Sequence, residues 1–183
     1  MKKKRVEIRL SGSGGQGLIL GGVILAEAAA IYDGKNATQS QSYGPEARGG
    51  ASKSEVIISD EEILFPKTEN IDVLLCLTQQ SCDSYVCGLE KDRLLVVDSF
   101  YVKSLPKDYT NVISIPFTEI ARDEFKTPMV VNIIAIGAIS EMTGSVSKQA
   151  MEKAVLSRVP KGTEELNKKA LHRGIELAKQ YKK

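Results

Sequence analysis

The sequence predicts an α/β protein: a Rossmann-like, doubly wound, mostly parallel sheet, with a hairpin-like insert after the first helix and a helical C-terminal third. Three observations predict it. An apolar strand at residues 6–10 runs through a glycine knot into an apolar helix at residues 17–32. The stretches 72–78, 94–97 and 112–115 are short and continuously apolar, as strands buried on both faces must be. Beyond residue 129 the spacing of apolar residues is helical throughout. The 183 residues carry no internal repeat, low-complexity tract or linker, so they read as one domain, 1–183.

Each element has a local reason. The first helix is closed by Asp33-Gly34, Gly34 being a natural left-handed terminator. Residues 37–43 alternate Thr38, Ser40 and Ser42 with Gln39, Gln41 and Tyr43, an extended segment polar enough for one face to meet a ligand or a partner. Residues 44–50 are a loop rich in breakers, 51–59 a strand, and 61–66 are read as a further short strand. Ser81 is the expected cap of a helix running to Leu89, and residues 118–123 make a short helix. The segment 129–142, apolar on nearly all sides, is a buried helix closed by Gly144. Ser147 and Thr163 are the expected caps of the last two helices; the second of these carries the stripe Leu166, Ala170, Leu171, Gly174, Ile175, Ala178.

Composition removes several functions. A formal net charge of +2 gives no field suited to nucleic acid or a membrane surface; the terminal lysines read as solvated ends. Glu7 and Arg9 interrupt the apolar run a signal peptide needs, and the apolar stretch around Glu27 is too short to span a bilayer, so a cytoplasmic protein is expected. Three cysteines, Cys76, Cys82 and Cys87, match no common metal or cluster spacing. Cys76 reads as core; Cys82 and Cys87, if helical, point about 140° apart. No metal site is expected.

The chemistry-bearing feature is the knot. Gly12, Gly14 and Gly17 form G-x-G-x-x-G directly between strand and helix, and Gly15 adds a further bare position. Such a turn presents main-chain N–H groups at a helix N-terminus and attracts phosphate. No acidic residue stands where a dinucleotide fold needs one for the ribose, and Gln16 is unusual for that fingerprint. Phosphate or pyrophosphate binding without NAD recognition fits best; glycines that only let helix and strand pack closely are the competing reading. Arg48, in a loop of small residues, suits a phosphate or carboxylate, or an ion pair with Glu46. Lys35 is a second anion candidate, or a solvated lysine. Asn132, a lone amide on the apolar helix, reaches a ligand or, more commonly, a backbone group. His172 reads as an exposed helix residue. With one histidine and no telling pair of carboxylates, no self-sufficient catalytic centre is expected, which suggests one part of a larger enzyme.

The stretches Gly12-Ser-Gly-Gly-Gln-Gly17, Ser42-Tyr-Gly-Pro-Glu-Ala-Arg-Gly-Gly50 and Val56-Ile-Ile-Ser-Asp60 together resemble the gamma subunit of 2-oxoacid:ferredoxin oxidoreductases. The likeness continues through Asp72-Val-Leu-Leu and Val131-Asn-Ile-Ile-Ala-Ile-Gly137, and so covers most of the chain. Gly49-Gly50 after Arg48 resembles the 2-oxoglutarate branch more than the pyruvate branch, although Ala47 stands where a larger residue is common. The resemblance implies an enzyme of several subunits. It decarboxylates a 2-oxoacid on thiamine diphosphate, passes electrons through iron–sulfur clusters to ferredoxin and releases an acyl-CoA. Thiamine diphosphate and the clusters belong to the partner alpha, beta and delta subunits; the gamma chain helps seat coenzyme A and covers the active site. Carried onto this chain, the backbone amides of Ser13, Gly14, Gly15, Gln16 and Gly17 meet the coenzyme A phosphates, with Lys35 and Asn132 as further contacts. Arg48 binds the same ligand or a partner subunit. The alternatives are an NAD- or FAD-binding oxidoreductase component and a purely structural scaffold subunit.

Overall fold

The computed structural model describes residues 5–42 and 50–181. Six strands form one sheet: β1 (Arg5–Ser13), β2 (Asn36–Ser42), β3 (Ala51–Ser59), β4 (Val73–Cys76), β5 (Leu94–Asp98) and β6 (Val112–Ile115). Their spatial order is β2-β3-β1-β4-β5-β6. β1, β4, β5 and β6 run parallel, whereas β3 lies antiparallel to both β1 and β2. The hairpin-like insert is therefore the pair β2–β3, placed so that β3 and not β2 adjoins β1.

Alternation along the strands divides the core. Ile8, Leu10, Val56, Ile58, Val73, Leu75 and Val96 face one side, where helices α1 (Leu18–Glu27), α3 (Phe117–Phe125), α4 (Val131–Thr143), α5 (Lys148–Arg158) and α6 (Glu164–Lys179) complete the main core. Leu74, Cys76, Leu95 and Val97 face the other, covered by α2 (Gln79–Tyr85) with Cys82, Leu89 and Val102. On that thin side β1 and β3 carry charged side chains beside the buried Ile57. Arg9 lies 2.6 Å from Glu55, Thr68 donates to Glu55 at 2.7 Å, and Lys53 stands 3.2 Å away. Burial alone would raise the Glu55 carboxyl, but Thr68, Arg9 and Lys53 outweigh it and hold its pKa below the usual value.

The helical third is held by close backbone approach. A Cβ on Gly174 would lie 2.0 Å from the Ile134 carbonyl oxygen, and one on Gly137 would lie 2.5 Å from that of Leu171. Only glycine lets α6 lie directly on α4 at both points. All residues from Val131 to Ser140 are buried, so α4 is the central helix of this side, as its uniform apolarity predicts.

Four expectations are corrected. Residues 61–66 form no strand; two of the side chains there, Leu64 and Phe65, are exposed and have no sheet neighbour to pack on. Thr78, not Ser81, caps α2: Thr78 accepts from Ser81 N, while Ser81 Oγ accepts from Thr78 N, a reciprocal box in which Ser81 is the third residue. Thr163 stands at the start of α6 but its hydroxyl donates to Pro160 O at 2.7 Å instead of capping the helix. His172 is half-buried, its ring nitrogen 2.9 Å from Glu152. The first helix also ends differently in detail, loosening into a π-helical turn at Ala28–Tyr32 before Gly34 at φ +64°.

Candidate functional site

The strand order reverses at β1: the chain moves outward to β2 and β3 and then crosses to β4 on the far side. In such sheets the crevice beyond the carboxyl ends at the reversal is where ligands bind. A cavity of about 360 Å³ lies there. Its floor is the turn after β1 (Ser13, Gly15, Gln16); its walls are Thr78 beyond β4, Tyr101 beyond β5, Thr118 of α3, and Pro128 and Met129 before α4.

The turn itself is built by four side-chain and backbone relationships. Gly17 starts α1 in the left-handed region (φ +70°), and Gly15 also has positive φ (+88°). The first intrahelical bond runs from Gly21 N to Gly17 O at 2.9 Å, so the amides of Leu18, Ile19 and Leu20 precede any intrahelical acceptor. Asn132, reaching over from α4, donates from Nδ2 to the same Gly17 carbonyl at 3.1 Å. Gln16 folds back so that its Oε1 accepts from Ser13 N at 2.8 Å. Space for that fold-back exists because residue 12 is glycine: a Cβ there would lie 2.3 Å from Gln16 Oε1.

The expected cradle is thus redrawn. The Ser13 amide is already occupied by Gln16 and is unavailable to a ligand. The amides of Gly14, Gly15 and Gly17 make no hydrogen bond among the described residues, and a Cβ built at Gly14 or Gly15 meets nothing within 4 Å. Gly14 and Gly15 are exposed and Gly15 lines the cavity, whereas Gly17 is half-buried beneath Asn132; unengaged amides at a helix N-terminus are of the kind that suits an anion. Asn132 is directed at a backbone carbonyl, and its Oδ1 is buried with no hydrogen-bond partner among the described residues. Lys35 is not brought to the site. It precedes Asn36, which pairs with Ser59, which pairs with Arg5 at the far end of β1; that strand's length, roughly 26 Å at about 3.3 Å per residue, separates it from the turn. Its ammonium is held by Ser145 O at 2.8 Å and by Asp60 at 3.5 Å. Arg48 lies outside the described residues.

One contributor escaped the sequence reading. Asp98, fully buried at the end of β5, accepts from Phe100 N at 3.0 Å, Thr118 N at 3.1 Å and Thr118 Oγ1 at 2.5 Å. It ties the turn bearing Tyr101 to the start of α3, so two cavity walls share one carboxylate. Burial pushes its pKa up despite these donors. Its signal was an acid ending an apolar strand, which marks a C-terminal strand end without saying what it binds.

The cavity walls thus supply hydroxyls, a carboxamide and main-chain amides. Among the described residues no three His, Cys, Asp or Glu side chains converge as a metal site. Cys76 and Cys82 are buried in the core of the thin side, and Cys87 is exposed. Donors of this kind, neutral and convergent on a helix N-terminus, suit an anionic ligand.

Residues 7–177 match the family model described as pyruvate ferredoxin/flavodoxin oxidoreductase. The chain is 54% identical over 180 residues to 2-oxoglutarate synthase subunit KorC of Methanocaldococcus jannaschii, covering 97% of this chain and 96% of that one. Among solved structures it superposes with a TM-score of 0.89 on the gamma subunit of a keto/oxoacid ferredoxin oxidoreductase from Geobacter sulfurreducens, at 53% identity over 98% of this chain and 99% of that chain. The fold recurs, at 24% identity and a TM-score of 0.84, in the 2-oxoglutarate:ferredoxin oxidoreductase of Magnetococcus marinus determined with 2-oxoglutarate, coenzyme A and succinyl-CoA; 97% of this chain is covered there and 32% of that one. Among the described residues no helix is long and apolar enough to cross a membrane.

Proposed function

We infer that this chain, which belongs to the pyruvate ferredoxin/flavodoxin oxidoreductase family, serves as the gamma subunit of a 2-oxoglutarate:ferredoxin oxidoreductase and holds the phosphates of coenzyme A at its N-terminal glycine turn. The enzyme it serves decarboxylates 2-oxoglutarate, transfers the acyl group to the coenzyme A thiol and passes the electrons to ferredoxin. Alpha, beta and delta subunits are its partners; thiamine diphosphate and iron–sulfur clusters sit in those chains. The three cysteines support this division, being split between a buried pair and an exposed residue instead of gathered as cluster ligands. The 2-oxoglutarate assignment rests on the 54% identity to the KorC subunit over nearly the whole of both chains.

The observation that carries coenzyme A binding is the set of three amides, Gly14, Gly15 and Gly17, unengaged among the described residues at the head of α1, in a turn whose Ser13, Gly15 and Gln16 line the crevice where the strand order reverses. Their combined dipole meets a pyrophosphate without needing a cationic side chain. A dinucleotide reading is disfavoured by the sheet itself. On the side away from β4, the neighbour of β1 is the antiparallel β3, whose Ala51 and Ser52 adjoin Ser13 and Gly12, so among the described residues no acid ends the strand beside the turn where a ribose would need one.

Gly14→Asp is the discriminating variant. Position 14 has open space for a side chain and, unlike Gly15 and Gly17, no positive φ, so the fold is retained while a carboxylate enters the cradle. Co-expressed with its partner subunits, the variant should raise the Michaelis constant for coenzyme A at least about tenfold, with Gly14→Ala close to wild type. An unchanged constant in Gly14→Asp would remove the phosphate role. Titration calorimetry should show coenzyme A binding tightly to the assembled enzyme and weakly to this chain alone.

A further inference from the structure

We propose that Gln16 is a specificity-determining contact, presenting its carboxamide N–H₂ to the ligand's phosphate as a replacement for the Ser13 amide that it sequesters. The proposal deepens, and rests on, the reading of the glycine turn as a coenzyme A phosphate site. Four observations carry it. Ser13 N donates to Gln16 Oε1 at 2.8 Å, and an N–H can be accepted only by the carbonyl end of the amide, so the orientation of the group is fixed. Trigonal geometry then directs Nε2 away from Ser13. Nε2 has no hydrogen-bond partner among the described residues, although Gln16 lines the cavity. The fold-back is built into the chain, because any side chain at position 12 would collide with Oε1. A lone Ser13 N–H would offer one donor close to the strand. Relayed through Gln16, it becomes a two-hydrogen donor on a side chain that lines the cavity.

The charge of the site sharpens the consequence. Among the described residues lining the cavity there is no lysine or arginine, so the donors they offer a ligand's negative charge are neutral. A neutral donor set tolerates no added carboxylate. Glutamate at position 16 would keep an oxygen for Ser13 but set a negative oxygen where the N–H₂ now stands. Alanine would remove the relay and release the Ser13 amide to the ligand directly.

The two substitutions therefore separate. In the enzyme assembled with its partner subunits, Gln16→Glu should raise the Michaelis constant for coenzyme A at least about tenfold, while Gln16→Ala should raise it only about threefold or less, both leaving kcat near wild type. Gln16→Met, similar in length but without donor or acceptor, should fall between them. Melting temperatures of the three variant enzymes check that the fold is retained. Equal effects of Gln16→Glu and Gln16→Ala would overturn the proposal, as would no effect of either. If Gly14→Asp raises the constant and Gln16→Glu does not, the relay fails and the phosphate site stands. If neither does, the site fails with it.

Discussion

Asn132 and Gly17, 115 residues apart, meet at 3.1 Å where the side-chain amide of the first donates to the carbonyl of the second. The contact joins the first turn of α4 to the residue at which β1's turn becomes α1. It also forbids a side chain at position 17, since a Cβ there would lie 2.5 Å from Asn132 Nδ2. Left-handed backbone, carbonyl acceptor and lack of Cβ at Gly17 are thus parts of one arrangement. Gly17→Ala should destabilise the chain by about 1–3 kcal/mol from backbone strain and collision together. Asn132→Ala should cost about 1 kcal/mol, softened because it also removes the unpaired Oδ1. The double variant should lose less than the sum, because the collision disappears with the asparagine. Denaturant unfolding of all four proteins measures the coupling; strict additivity would count against it.

The interlock of α4 and α6 leaves no room at Gly174. Alanine there would place its Cβ 2.0 Å from the Ile134 carbonyl, backbone against backbone, so neither side can yield by rotating a side chain. Gly174→Ala should cost at least the upper end of the 1–3 kcal/mol range for overpacking. A melting temperature within a degree of wild type would show that the helices part freely.

The Glu55 network sets a direction for acid sensitivity. Burial raises its carboxyl pKa, but Thr68, Arg9 and Lys53 outweigh this and hold it below the usual glutamate value in the folded chain. Ionised Glu55 therefore contributes stability that is fully present above the unfolded value and is lost as pH falls through the folded one. Glu55→Gln should lower stability at neutral pH and flatten the decline below about pH 4.5. Unfolding free energies from pH 7 to pH 3 would show it; parallel curves for the two proteins would not support the network.

Thiol labelling separates the cysteines by burial. Cys76 and Cys82 are 0% and 1% exposed, whereas Cys87 is exposed. Brief iodoacetamide treatment of the native chain should add one carbamidomethyl group, at Cys87, and the denatured chain should take three. Rapid modification of all three in the native chain would contradict the packing of α2 on the sheet.

What could be read from the sequence was whatever depends on periodicity. β6 at Val112–Ile115 and β3 at Ala51–Ser59 fall where the apolar runs place them, and Gly144 ends α4 in the left-handed conformation expected of it. Side-chain destinations were less legible. Serine and threonine three residues apart, Thr78 and Ser81, serve equally as cap or as third residue, and only the turn geometry chooses between them. The glycine knot announces a phosphate turn, but nothing local says that Gln16 will consume the Ser13 amide; that depends on the clearance Gly12 leaves for its Oε1. Lys35 follows the first helix closely in sequence, yet the π-helical turn and the start of β2 carry it to the opposite end of the sheet. Asp98 ends an apolar run, but two of its three donors belong to Thr118, 20 residues on, and meet it only in the folded protein.

Ile134, whose carbonyl faces Gly174, lies two positions along α4 from Asn132, whose amide rests on the mouth of α1. The bareness of position 174 thus sets how deeply α4 seats between its neighbours, and through α4 how firmly Gly17 is pressed down. Crowding the C-terminal helix would therefore be felt at the glycine turn through α4, although Gly174 itself lies outside the cavity lining.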